Sequence, residues 1–206
     1  MENRIFTYLD SQIIIGRVNE PVEILLSGFE LTDNEIIELE KLKSEHRKSE
    51  YLAVRLALKQ LLGRKAEIQY DTDGKPWLTD RSRQISISHS RNFVAVMLHA
   101  SQNVGIDIEC HSEKILKIYK RFLNPQEQIF FGSKYDKDQL LLLWSAKEVL
   151  FKMIGKTAVD FASQLEIMPF EMEISGKMDA KHLPTGTNYE LYYQNTPDFV
   201  MVYGIA

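Results

Sequence analysis

AVRLALKQLLG (Ala53 to Gly63) returns as SAKEVLFKMIG (Ser145 to Gly155) at a constant offset of 92 residues, with Arg55 over Lys147. NFVAVM, from Asn92, likewise resembles DFVMVY, from Asp198 to Tyr203. Each first segment is helical by its apolar spacing and runs to a glycine, a natural stop signal. Each second segment alternates with period two, as a strand does. Two such matches suggest two related halves, each a helix packed on a small sheet, with the boundary near residues 100 to 103. The rest of the chain agrees with a mixed α and β reading. QISIS (Gln84 to Ser88) and NFVAVML (Asn92 to Leu98) alternate around HSR and read as a hairpin. Asp71-Thr72-Asp73-Gly74-Lys75-Pro76 is dense turn chemistry. A long helical region is predicted from about Ser112 to Gly155, interrupted near Asn124-Pro125 and again at Gly132 to Asp136. After it come polar loops and two strands, Tyr189 to Tyr193 and Phe199 to Ile205.

The chain has 206 residues, 44% hydrophobic and 26% charged, which suits a globular protein with a sizeable core and excludes a disordered or fibrous one. No apolar run approaches the roughly 18 residues of a membrane helix. The opening MENRIFTYLD lacks the apolar region of a secretory signal. One cysteine, Cys110, cannot form an intrachain disulfide. These features lead us to expect a cytoplasmic protein that engages neither membrane nor nucleic acid. The net charge of −4 points the same way, although a local basic patch is compatible with it.

Charge is unevenly spread. From Glu20 to Glu40 there are seven acids and no Lys or Arg, opened as a helix by the Thr32-x-x-Glu35 capping box. From Lys41 to Lys65 there are eight Lys or Arg against Glu45 and Glu50. In this basic helix Arg47 and Arg55 stand about two turns apart, roughly 12 Å of rise. It reads either as soluble surface or as a site for a phosphate-bearing ligand.

Two segments carry chemistry. In VGIDIE (Val104 to Glu109) the residues Val104, Ile106 and Ile108 point one way, and Gly105, Asp107 and Glu109 the other. Two carboxylates roughly 6.6 Å apart on one strand face can lean toward one hard cation, or simply face solvent on an edge. In LLLLWSAKEVLFKMIG the residues Leu142, Ala146, Val149, Leu150 and Met153 make an apolar stripe. Trp144, Glu148 and Lys152 make an i, i+4 row on its flank. Glu148 and Lys152 read either as a surface ion pair or as a third metal carboxylate beside a phosphate ligand.

Together these segments resemble the paired signature of the 4′-phosphopantetheinyl transferases, G-[IV]-D-[IV]-E followed by [FW]-[ST]-x-K-E-[AS]-x-x-K. Val149 stands where that pattern has a small residue. RKSEYLAVR (Arg47 to Arg55), GKPWL (Gly74 to Leu78), SISHS (Ser86 to Ser90) and KRFLNPQEQ (Lys120 to Gln128) resemble further family motifs in the family's order. The resemblance covers about residues 40 to 155.

The resemblance implies an α+β monomer of two similar halves, residues 1–102 and 103–206, related by a pseudo-two-fold. Each half would be a small, mostly antiparallel sheet packed on a long helix, in the longer Sfp-like form, with the site between halves. The implied reaction moves 4′-phosphopantetheine from coenzyme A onto a serine of an apo acyl or peptidyl carrier protein, releasing 3′,5′-ADP. By resemblance Asp107, Glu109 and Glu148 would hold Mg²⁺. Glu148 and Lys152 would be catalytic, and Lys152 would also touch the CoA phosphates. Arg47, Arg55 and His89 would lie near the 3′-phosphate of CoA, Ser88 would be a further CoA-binding residue, and Gly74, Lys75 and Pro76 would border the adenine. The segment Ile115 to Phe122, interleaved with Lys114, Lys117, Lys120 and Arg121, reads either as a docking face for an acidic carrier protein or as a core helix. Two other readings of the same residues are an Mg²⁺-dependent phosphodiesterase and a CoA- or carrier-binding module without turnover.

Overall fold

The computed structural model describes residues 1–28, 30–131, 136–155 and 159–206. In chain order it contains strands β1 (Glu2–Tyr8) and β2 (Ser11–Arg17), then helices α1 (Val22–Ser27), α2 (Asp33–Lys41) and α3 (Glu45–Leu62). Strands β3 (Ile68–Tyr70), β4 (Pro76–Leu78), β5 (Gln84–Ser90), β6 (Phe93–His99) and β7 (Val104–Cys110) follow. Next come α4 (Ile115–Ile118), a 3-10 turn at Tyr119–Arg121, α5 (Pro125–Phe130), α6 (Lys137–Ile154) and α7 (Phe161–Gln164). The chain closes with β8 (Leu165–Ile167), β9 (Ser175–His182), β10 (Thr187–Asn195) and β11 (Phe199–Ile205).

The α+β class is as expected, with all strand pairings antiparallel. One sheet has the order β1-β2-β6-β5 and the other β7-β11-β10-β9-β8, while β3 and β4 form a separate ribbon. Three apolar layers explain the stack. Ala53, Ala57, Leu58 and Leu61 of α3 pack on Ile14, Val94 and Val96 of the first sheet. The opposite face of that sheet, with Ile13, Ile15, Ala95 and Met97, meets Ile106, Ile108, Met201 and Tyr203 of the second. The far face of the second sheet takes Leu142, Ala146, Val149 and Leu150 of α6 against Val200 and Val202. Alternation along the strands dictates this: each inner strand presents apolar side chains to both neighbours, so both faces must be covered.

Gly105 sets how closely α6 approaches β7. A Cβ there would stand 2.6 Å from the Val149 carbonyl oxygen, so no other residue fits without moving the helix. This contact brings the Glu148–Lys152 flank of α6 against the carboxylate-bearing face of β7.

The helical region after Ser112 breaks at Asn124-Pro125, as expected: Asn124 caps α5 by accepting from the Glu127 backbone, and Pro125 occupies the first turn. The second expected break, Gly132 to Asp136, lies over 132–135 outside the described residues, and Asp136 is the N-cap of α6. β9 has no clear local signature. Its sequence SGKMDAKH is half exposed and weakly alternating, and neighbours β8 and β10 hold it in place.

Candidate active site

A cleft of about 470 Å³ opens between α3, β5 and the turn before β4 on one side and the C-terminal turns of α6 on the other. Its lining includes Arg47, Arg55, Gly74, Lys75, Pro76, Ser88, His89, Glu148 and Lys152. Residues expected together from four separate stretches of sequence therefore share one cavity. Asp107 and Glu109 are not in its lining; they lie on β7 behind Lys152. Tyr51, Tyr70 and Phe151 give the cleft aromatic walls that the sequence reading did not single out.

Local structure explains how each side chain arrives there. Ser44 caps α3 by accepting from the Arg47 N–H at 3.2 Å, and the helix ends at Gly63 with φ of 65°. The turn before β4 is an Asx turn: Asp71 Oδ1 accepts from the Asp73 and Lys75 amides, both at 2.9 Å. Gly74 supplies the left-handed φ of 81° that this turn needs. The turn aims Lys75 at the end of α6, where a Cβ on Gly155 would lie 2.9 Å from Lys75 Nζ. A cation at a helix C-terminus is favoured by the exposed carbonyls.

The cationic side of the cleft is organised by Glu50, whose side chain is only 8% exposed. It accepts from Arg47 Nη1 at 3.0 Å and pairs with His89 Nδ1 and His46 Nε2, each at 3.2 Å. Arg47 and His89 remain accessible, with side chains 59% and 39% exposed. Within RKSEYLAVR, Glu50 stands one turn after Arg47, and that spacing is the local sign of its role. Arg55 is different. It is buried, its Nε donates to Glu35 Oε1 at 3.1 Å, its Nη1 donates to the Tyr51 carbonyl, and it stacks 3.2 Å from the Tyr51 ring centroid. Arg55 thus reaches the cleft with its guanidinium already engaged.

The anionic side sits where β7 meets α6. Lys152 Nζ donates to the Ile106 carbonyl at 2.8 Å and to Asp107 Oδ1 at 2.9 Å. Ser88 Oγ donates to the same Asp107 oxygen at 2.9 Å, and Ser90 Oγ donates to Glu109 Oε2 at 2.9 Å. Asp107 Oδ2 is buried without a partner. Burial pushes the Glu148 carboxyl up to about 7, with Asp107 adding repulsion and Lys152 opposing it. Burial first, then Asp107, also holds Glu109 above its ordinary value. Three carboxylates share one lysine, so the site is short of positive charge.

A hard divalent cation suits this donor set: all oxygen, one carboxylate oxygen orphaned, two carboxyls disfavouring ionisation. Among the described residues no three such side chains are already gathered as a cation cage. Lys152 and Ser88 hold Asp107 Oδ1, which leaves Oδ2 as the oxygen that could turn toward the ion.

Another buried pair lies outside the cleft. Lys147 Nζ donates to Glu127 Oε2 at 2.7 Å and to the carbonyls of Phe122, Phe161 and Leu165 at 2.7 to 2.9 Å. The lysine of the WSAKE segment is therefore a structural node joining α5, α6, α7 and β8.

Residues 103–199 match the family model described as the 4′-phosphopantetheinyl transferase superfamily. A provisionally named 4′-phosphopantetheinyl transferase of Synechocystis sp. is 32% identical over 64% of this chain and 61% of its own length. The 4′-phosphopantetheinyl transferase gsp of Aneurinibacillus migulanus is 38% identical over 40% of this chain and 35% of its own. The 4′-phosphopantetheinyl transferase Sfp of Bacillus subtilis is 37% identical over 45% of this chain and 43% of its own. The matches thus span less than two thirds of each relative.

Proposed function

We propose, from the match of residues 103–199 to the 4′-phosphopantetheinyl transferase family model together with the cleft described above, that this chain moves the 4′-phosphopantetheine group of coenzyme A onto a serine of an apo carrier protein. The products are the holo carrier protein and 3′,5′-ADP, and the reaction requires Mg²⁺. The observation that carries the reading is the two-sided cleft. Arg47, Lys75 and His89 face it from one side, and Lys152 and Glu148, backed by Asp107 and Glu109, from the other. That polarity suits a ligand with two separate phosphate groups, one remote and one adjoining a divalent cation.

Asp107, Glu109 and Glu148 would hold the Mg²⁺, which supplies positive charge to pyrophosphate oxygens. The protein's own groups divide the remaining work. Arg47 and His89, braced by Glu50, bind the remote 3′-phosphate through charge-assisted hydrogen bonds. Lys75 and the Gly74–Pro76 turn border the base. Lys152 stabilises or protonates the departing phosphate. Glu148 accepts the serine proton directly or through one water, because a base must lie within one hydrogen-bond step of the proton it takes. Attack of the serine oxygen on the β-phosphorus forms a P–O bond as the pyrophosphate P–O bond breaks and its electron pair leaves with 3′,5′-ADP.

The carrier protein meets the surface beside β7. Lys114, Lys117, Lys120 and Arg121 are exposed there with Leu116, while Ile115 and Phe122 are buried against α6. Basic and apolar groups together suit an acidic helical partner. The protein acts as a cytoplasmic monomer. Among the described residues no helix is long and apolar enough to cross a membrane, and Cys110 is a buried free thiol.

The same reading treats residues 1–102 and 103–206 as two halves related by a pseudo-two-fold. Support comes from the 92-residue offset, which extends beyond the two helices. N-caps Thr32 and Asn124, box glutamates Glu35 and Glu127, helix caps Ser44 and Asp136, and terminal glycines Gly63 and Gly155 all obey it.

Intact-mass spectrometry of an apo carrier protein incubated with enzyme, CoA and Mg²⁺ tests the reaction. A gain of one phosphopantetheine mass, abolished by chelator, is expected. Cleavage of CoA without mass gain on the carrier would instead indicate a phosphodiesterase.

A further inference from the structure

Strand β7 is the edge of its sheet, and β5 is the edge of the other. The two edges run side by side, yet no backbone ladder joins them. The inward amides of β7 are met by hydroxyls: Ser86, Ser88 and Ser90 Oγ accept from the N–H groups of Ile106, Ile108 and Cys110 at 3.1, 3.2 and 3.1 Å. Buried amides need partners, and alternate serines on β5 are spaced to serve alternate residues of β7.

A hydroxyl has one proton and two lone pairs. Once a lone pair is taken by the β7 amide, the proton is free to be aimed elsewhere. In two of the three rungs it goes to the carboxylate of the preceding residue: Ser88 to Asp107 and Ser90 to Glu109, each at 2.9 Å. In the third rung the preceding residue is Gly105, which has no side chain to receive it.

We infer that Ser90 is a positioning residue for Glu109. Its hydroxyl, pinned to the Cys110 amide, fixes the rotamer of the Glu109 carboxylate alongside a hydrogen bond from Trp144, so that Glu109 is oriented before any cation arrives. Ser88 does the same for Asp107, and for that reason its hydroxyl is committed to the carboxylate. The N-terminal β5 therefore sets the geometry of acids carried by the C-terminal β7. This inference rests on the metal-dependent reading above.

Ser86 provides an internal control, because it makes the same backbone bond with no carboxylate beyond it. Mn²⁺ binding to the intact protein would be measured by titration calorimetry, with thermal unfolding in parallel. Ser90→Ala should weaken Mn²⁺ binding about tenfold, as loss of one charge-assisted hydrogen bond does. Ser90→Thr, which keeps the hydroxyl, should stay within about twofold of the parent. Ser86→Ala should lower the melting temperature about as much as Ser90→Ala while leaving Mn²⁺ affinity unchanged. Should Ser90→Ala not fold, Ser90→Cys, whose thiol is a weak donor, takes its place with the same expectation. Equal Mn²⁺ affinity in Ser90→Ala and the parent, or equal weakening in Ser86→Ala and Ser90→Ala, would overturn the inference. A parent protein that binds Mn²⁺ but adds no phosphopantetheine mass would sink the transferase reading alone, since the Mn²⁺ comparison is scored without turnover.

Discussion

Helices α3 and α6 each run eighteen residues from a polar N-cap to a left-handed glycine. Each buries one cation against a capping-box glutamate twenty residues earlier: Arg55 on Glu35 in one, Lys147 on Glu127 in the other. Their next positions differ. Where α6 has Glu148 and Lys152, the same offset in α3 gives Leu56 and Gln60. The scaffold devices, caps and buried ion pair, recur in both helices, while the chemistry-bearing row occurs in α6 alone. The surroundings diverge too. Lys147 is sealed by three backbone carbonyls, whereas Arg55 stacks on Tyr51 and reaches the cleft. A buried pair maintains helix position, and a half-buried carboxylate short of cations is prepared for a ligand.

The largest expected effect strikes the α6 row. Asp107→Ala and Glu148→Gln should each reduce phosphopantetheine transfer by about three orders of magnitude, the scale of losing an electrostatic group from the reacting centre. Circular dichroism should show the fold intact. Losses of twofold or less at saturating Mg²⁺ would remove these acids from the site.

Next come the paired scaffold cations. Lys147→Met leaves buried Glu127 without its cation, which costs about 3–5 kcal/mol, whereas in Arg55→Met the Glu35 carboxylate keeps Lys65 at 3.9 Å. Urea unfolding should show the larger loss for Lys147→Met, and adding Glu127→Gln to it should return at least half. A stable Arg55→Met protein with a raised KM for CoA would break the comparison and make Arg55 a phosphate ligand instead.

Arg47→Ala sharpens the same distinction at about tenfold. The exposed guanidinium binds a phosphate far from the breaking bond, so KM for CoA should rise with kcat within about twofold. Dephospho-CoA, which lacks the 3′-phosphate, should suffer much less from the substitution. Equal penalties on both substrates would place the 3′-phosphate elsewhere.

The smallest effect concerns pH. Glu148 is raised from 4.5 to about 7, so in that window the folded protein holds a proton that the unfolded chain has lost. Stability from this group is complete below about 4.5 and fades as pH rises through 7. In chelator, Glu148→Gln should flatten the fall in melting temperature over this range, by ~2–4 °C for each kcal/mol involved. Parallel profiles for both proteins would show that Glu148 is solvated and unstrained.

Much of the candidate site was legible because its residues lie in short patterns. Asp107 and Glu109 alternate on a strand, Glu148 and Lys152 share a helix flank, and Gly74 marks a turn that only positive φ can make. Less legible were partners distant in sequence. Glu35 reads as a helix cap, and nothing local says that it also neutralises Arg55 twenty residues on. QISISHS reads as a strand with one polar face, which ordinarily meets water. Here Ser86 and Ser88 are buried instead, since that face lies along β7.

Elements with strong local patterns, and the faces they present, could be read from the residues alone, because propensity, caps and alternation act over a few residues; the weakly patterned β9 could not. Mixed helices and antiparallel strands, the two glycine-terminated helices and the carboxylate-bearing strand all followed from those patterns. Which faces meet follows from the packed fold. Packing α6 onto Gly105 brought Lys152 to Asp107. Joining two sheet edges brought the serines of β5 under the acids of β7. Burial then turned Arg55 and Lys147 inward to their glutamates and left Arg47 and His89 open. These outcomes depend on desolvation and on contacts between residues far apart in the chain, quantities that no local pattern encodes.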